Sequence, residues 1–174
     1  MENNTKPYIK KITSIALFVA IISVFAQISI PISVVPITMQ MFAIALCGYM
    51  LSLKSAITTV CVYILLGVVG APVFASFNGG FHVLLNYTGG FLWGFIPLVI
   101  LCALYKNKTS IPLGILGVII CHLVGIIQYS IVSKTNIWLS FVVASLPYII
   151  KDIILVVIAY FVARRVNKIL KKHL

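Results

Sequence analysis

Acid is nearly absent from this sequence: of 174 residues, only Glu2 and Asp152 carry a carboxylate side chain. Charged residues of both signs make up 9% of the chain, against about a quarter in an ordinary soluble domain. Catalytic signatures are missing too. There is no GxxxxGK[ST] phosphate loop, so ATP hydrolysis by this chain alone is excluded, and no GxSxG or HExxH box. With one acid inside the apolar region and no nucleophile elbow, an intramembrane hydrolase is not supported, and no enzymatic activity is expected. The four cysteines, Cys47, Cys61, Cys102 and Cys121, stand singly in apolar runs. Without a CxxC pair or a Cys/His cluster, neither a disulfide framework nor a metal site follows.

What the sequence does have is hydrophobicity. Apolar residues account for 62% of the chain, and mean hydropathy is +1.19. Uninterrupted apolar runs of about 20 residues mark transmembrane helices. Six fall at about 12–30, 37–53, 56–71, 89–105, 111–132 and 141–163. An all-α integral membrane protein with six spans, forming a single domain over 1–174, is the expected architecture, with no room for a soluble catalytic domain. The first run is long for a signal peptide and lacks a small-residue cleavage site, so it reads as a retained helix.

The basic residues are distributed unevenly. With the N-terminus inside, the cytoplasmic segments hold Lys6, Lys10, Lys11, Lys54, Lys106, Lys108, Arg164, Arg165, Lys168, Lys171 and Lys172. The outer segments hold only Lys134, and Lys151 lies within the sixth run. The positive-inside rule then places both termini in the cytoplasm. The net charge of +11 is therefore a topology signal, partly resting on anionic lipid headgroups, and nucleic acid is not an expected partner.

Between the third and fourth runs, Gly67 to Gly94 contains seven of the eleven glycines together with Pro72 and several aromatics. Glycine and proline break helices, yet this stretch is apolar. Irregular backbone at membrane depth is tolerated where protein buries it or where it lines a cavity. A re-entrant or lid segment on the outer face is expected, with a kinked helix as the simpler alternative.

Asp152 sits at the centre of the 141–163 run with Lys151 beside it. A charge at mid-bilayer costs about 2.5–3.5 kcal/mol even on lenient scales and marks a functional candidate. Adjacent helical residues point about 100° apart, so each is expected to need a further partner, from another helix or from a ligand. Gln27, Thr38, Gln40, Asn86, Gln128 and Tyr129 are the other polar residues in apolar context, where interhelical hydrogen bonding is the ordinary role. His82 and His122, with no acid near them in sequence, read as structural hydrogen-bonders. Ala16 and Ala20 form a small-xxx-small pair suited to close helix approach.

These segments resemble one family. "ALFVAIISVFAQISIPISVVPITMQ" is similar to the start of the BioY family, the biotin-specific S-components of energy-coupling factor transporters, through Pro31, Pro36, Ile37, Thr38 and Gln40. "LLGVVGAPVFASFNGGFHVLLNYTGGFLWGF" and "LPYIIKDIILVVIAYFVARRV" resemble its Gly-rich and sixth-helix segments. The resemblance implies a high-affinity biotin-binding subunit in the bacterial cytoplasmic membrane. Its partners would be a transmembrane coupling subunit, docking on Ala16 and Ala20, and two cytoplasmic ATPases. Biotin would be cargo, and no cofactor is expected. In that family the sixth-helix Asp and a nearby Lys are implicated in holding the vitamin, here Asp152 and Lys151. The chemistry of biotin then assigns Asp152 and Asn86 to its ureido end, Lys151 to its carboxylate and Phe74, Phe77 and Tyr87 to its rings, with Gln40 in the same set. Many relatives read "GD..K" where this chain has Lys151 before Asp152 and Leu155 at the later position, and Asn86–Tyr87 stand where "GP" is frequent. Other readings remain: an S-component for another vitamin, a small proton-coupled exporter using Asp152, or a membrane scaffold.

Overall fold

The computed structural model describes residues 5–30, 35–104 and 110–173. They form eight α-helices and one two-stranded ribbon. In chain order these are α1 Thr5–Gln27, β1 Ser29–Ile30, β2 Ile37–Thr38, α2 Gln40–Met50, α3 Leu53–Val68, α4 His82–Leu85, α5 Gly89–Leu104, α6 Ser110–Ser133, α7 Ile137–Ala144 and α8 Leu146–His173. The strands pair antiparallel, Ser29 with Thr38 and Ile30 with Ile37. The expected connection at 105–109, with Lys106 and Lys108, lies outside the described residues, as does Pro31.

Three helical stretches are long and apolar enough to cross a membrane: Tyr8–Gln27, Ser110–Ser133 and Leu146–Leu170. Helices α2, α3 and α5 have 11, 16 and 16 residues. At 1.5 Å per residue the first of these reaches only about half of a 30 Å hydrocarbon core. Large apolar side chains are exposed along several helices, among them Leu17, Leu65, Ile127 and Ile154. In water such a surface would aggregate; against lipid it is the favourable one.

Helix α2 is the hub, packing on α1, α3, α5 and α8, and most of its length is buried. Helices α5 and α6 make the most extensive contact in the molecule. Gly90 and Gly94 on α5 face Gly125 and Cys121 on α6, and Gly117 faces Leu98. A Cβ at Gly90 would lie 2.9 Å from the Gly125 Cα, and one at Gly94 would lie 2.8 Å from the Cys121 Cα. The seam depends on the missing side chains, the membrane form of small-residue packing. Four glycines of the expected irregular segment thus belong to regular helices and serve close approach, Gly67 in α3 and Gly89, Gly90 and Gly94 in α5.

Within this segment the irregular backbone is 69–81, with a short turn at 86–88 between α4 and α5. Gly70 and Gly80 turn the chain at φ 103° and 105°, where glycine carries no steric penalty. Ser76 and Phe77 take left-handed φ values of 59° and 57° in a tight turn closed by a bridge between Phe74 and Asn78. Side chains from neighbouring helices hold this loop. Gln27, the last residue of α1, donates to the carbonyls of Pro72 and Phe74 and accepts from the Phe77 N–H at 2.8 Å. Tyr63 donates to the Val73 carbonyl and accepts from Gln40 Nε2. Gln128 donates to the carbonyls of Leu84 and Asn86, fixing the end of α4.

The last apolar run is two helices. Ser145, at φ −127° and ψ −51°, ends α7, and Pro147 follows in the first turn of α8, where its missing N–H costs nothing. The long apolar span therefore begins at 146 and not at 141. Asp152 lies in its second turn, about 9 Å from the helix start at 1.5 Å per residue, and not at the span's centre.

Candidate functional site

A cavity of about 310 Å³ opens where α1 and α3 end and α2, α5 and α8 begin. Small-molecule sites occupy roughly 300–1,000 Å³ and are mostly apolar with a few convergent polar groups. Here the loop 69–81 supplies Phe74, Ala75, Ser76 and Asn78, and α5 supplies Phe91, Leu92 and Phe95. Tyr148, Lys151 and Asp152 come from α8, His122 from α6, and Thr38 and Gln40 from the entry to α2.

Phe74 is buried with its ring edge-on to Tyr63 at 5.6 Å. It fills the space left by Gly67, where any Cβ would collide with the ring. Tyr87 leans on Tyr129, ring centroids 5.6 Å apart. Asn86 is exposed toward the opening, and its Oδ1 accepts from the Tyr87 N–H. Tyr148, missed in the sequence, donates to the Val35 carbonyl at 2.7 Å and ties α8 to the segment before α2.

Asp152 is the polar centre of the wall, 4% exposed. Its Oδ2 is 3.1 Å from His122 Nε2, and the other imidazole nitrogen, Nδ1, is 2.9 Å from Ser145 Oγ. Lys151 Nζ donates to the Thr38 carbonyl at 2.8 Å and lies 2.6 Å from Asp152 Oδ1. That ion-pair contact is close but is not directed as a hydrogen bond, and Oδ1 has no hydrogen-bond partner among the described residues. The angular argument against contact between neighbouring helical residues is thus corrected: the long lysine stem curls back to its neighbour. His122, expected to be far from any acid, has one, brought from 30 residues away.

Of the expected binding residues, Asp152, Lys151, Asn86, Tyr87, Phe74 and Gln40 line the cavity. Phe77 does not; its left-handed backbone turns the ring outward, 71% exposed. Gln40 is committed in part, through its bond to Tyr63. Ala16 and Ala20 lie on the exposed face of α1, remote from the cavity. His122 and Tyr148 are the additions. Tyr148 shares a face with Asp152 by i, i+4 spacing, a signal present in the sequence.

Exposed cations gather at the other end of the helices. Lys10 and Lys11 open α1, Lys54 opens α3, and Arg164, Arg165 and Lys168 lie in the last turns of α8. Among the described residues no group of His, Cys, Asp and Glu could hold a metal ion.

Known proteins resemble the chain along nearly its whole length. The profile of the BioY family matches residues 1–172. The chain is 34% identical over 158 residues to a probable biotin transporter BioY of Pyrococcus horikoshii, covering 91% of this chain and 96% of that one. It is 34% identical over 165 residues to the biotin transporter BioY of Thermotoga maritima, covering 92% and 97%. The fold matches a 2.1 Å crystal structure of the S-component for biotin from an ECF-type ABC transporter, with a TM-score of 0.87 and 27% identity over 97% of this chain and 95% of that one. From the family match over nearly its whole length, and from relatives a third identical to it, this chain belongs to the BioY family.

Proposed function

We propose that this protein is the biotin-binding S-component of an ECF-type importer, capturing biotin outside the cell and passing it across the cytoplasmic membrane with an ATPase module. The observation that carries the proposal is the composition of the cavity. Aromatic and aliphatic walls suit the fused rings of biotin, and Asp152 and Lys151 supply one acceptor and one cation. The ureido group has N–H donors for Asp152 and a carbonyl acceptor for the Asn86 amide, and the valerate carboxylate pairs with the Lys151 ammonium. Charge-assisted hydrogen bonds of this kind are the strong ones. Phe74 and Tyr87 pack on the rings.

Helices α1, α2, α3, α5, α6 and α8 are the six spans, with both termini cytoplasmic, as the cationic end of the bundle supports. The short α2 leaves the outer half of the membrane to the cavity. The loop 69–81 is the lid, closing over bound ligand in the gating role that loops commonly play. The exposed Ala16 and Ala20 face on α1 docks the transmembrane coupling subunit, which carries two cytoplasmic ATPases. Leucine at both positions leaves biotin binding intact and abolishes co-purification with the coupling subunit; retained co-purification places docking elsewhere.

Isothermal titration of the detergent-solubilised protein with biotin, thiamine and riboflavin tests the ligand. Tight 1:1 binding of biotin alone is expected. A folded protein giving heat with thiamine or riboflavin, and none with biotin, is an S-component for another vitamin.

A further inference from the structure

We infer that His122 is a positioning residue for ligand recognition: it holds the Asp152 carboxylate by one oxygen, so that the other, met here by the Lys151 ammonium, can pass to a ligand N–H. The inference rests on the biotin reading of the cavity. Its starting point is the unequal treatment of the two carboxylate oxygens. Oδ2 has a partner in His122 Nε2 at 3.1 Å, whereas Oδ1, also buried, accepts no hydrogen bond among the described residues. Oδ1 is met by the charge of Lys151 at 2.6 Å but by no directed donor, so it forgoes the strength of a charge-assisted hydrogen bond, and such groups call for an explanation. A ligand donor supplies one.

An ionised carboxylate only accepts, so the shared proton belongs to His122 Nε2. We take the ring as neutral, so that Nδ1 presents a lone pair and accepts from the Ser145 hydroxyl, 2.9 Å away. The result is a one-way chain, Ser145 O–H to Nδ1 and Nε2–H to Oδ2. Ser145 immediately precedes α8 and Asp152 lies in its second turn, seven residues on, so His122 on α6 ties the entry of that helix to its second turn. The imidazole cannot swing away, because Phe91 meets it edge-on at 5.6 Å and the ring is 2% exposed.

This arrangement matters because the other neighbour of Asp152 is not fixed in the same way. Lys151 has two attractions, the Thr38 carbonyl and Oδ1, and its side chain is 29% exposed. When the ammonium turns to a ligand carboxylate, Asp152 loses that contact and keeps only His122. The histidine therefore sets where the carboxylate points in the loaded state.

The test uses the full-length protein in detergent, with two substitutions and one spectroscopic measurement. His122→Gln retains an N–H at the position of Nε2 and is expected to bind biotin within about threefold of the unsubstituted protein. His122→Phe keeps a buried ring against Phe91 but no donor, and is expected to weaken biotin about tenfold to a hundredfold, the scale of a lost hydrogen bond to a charged group. In an Asp152→Asn background the same His122→Phe change is expected to cost nothing further, as groups acting through one another are non-additive. Imidazole ¹⁵N shifts of the ligand-free protein are expected to show the Nε2–H tautomer at His122. Unchanged biotin affinity in folded His122→Phe protein, a full effect persisting beside Asp152→Asn, or an Nδ1–H tautomer each overturns the inference. Failure of the biotin reading has a different signature: the unsubstituted protein, with the expected tautomer, binds no biotin at all.

Discussion

The α5–α6 seam and the 69–81 loop draw on the same glycine-rich stretch and use it in opposite ways. At the seam, Gly90, Gly94, Gly117 and Gly125 remove side chains so that two backbones touch. Nothing there can rearrange without separating the helices. In the loop, Gly70 and Gly80 provide turns, and the segment is then held from outside by Gln27, Tyr63 and the contact of Ser29 with Ser76. Those hydrogen bonds can be exchanged one at a time. Local opening is drawn from regions with few packed contacts and exchangeable bonds. The seam is a frame held by backbone packing, and the loop is the part of the cavity wall held by side-chain hydrogen bonds around one buried anchor, Phe74.

The largest effect that would break this contrast is at the seam. Gly94→Leu drives a side chain into the backbone at Cys121 and is expected to cost about 3 kcal/mol or more. Thermal unfolding in detergent should fall by roughly 10 °C, and an unchanged melting temperature would remove the rigid frame. Next comes the polar wall: Asp152→Asn should weaken biotin about tenfold to a hundredfold while the melting temperature stays near that of the parent. Titration calorimetry beside a melting curve separates the two effects. Gln27→Ala frees the loop from α1, worth about 1 kcal/mol, or about fivefold in affinity. Stopped-flow displacement should show that change in the dissociation rate. Smallest of all is Phe77→Ala, which should leave affinity within about twofold because the ring is outside the cavity; a larger loss would mean that the loaded loop differs from this one.

Much of this was legible in the sequence, and what was not has identifiable causes. Hydrophobic runs located the helices because lipid demands continuous apolar stretches. Lys151 and Asp152 stood out because charge in such a run is costly. The break at Ser145 was hidden because serine inside an apolar run carries no composition signal, although Pro147 marked a helix start. The role of His122 could not be read because its partners, Ser145 and Asp152, are 23 and 30 residues away. Glycine was ambiguous because one residue type serves both positive φ and close approach, and only packing tells them apart.

Two hydrogen bonds of the cavity wall, Tyr148 to the Val35 carbonyl and Lys151 to the Thr38 carbonyl, each join residues 113 positions apart. Helices enter the membrane in the order in which they leave the ribosome, and α8 is the last of those described. A nascent chain halted before residue 146 has the glycine seam and the hub helix but neither the acid nor the cation. The pocket is thus a late product of synthesis, and its appearance marks a chain in which α8 has packed beside α2. Capture of ligand therefore reports that α8 has joined the bundle, because a chain that stops before residue 146 lacks Tyr148, Lys151 and Asp152.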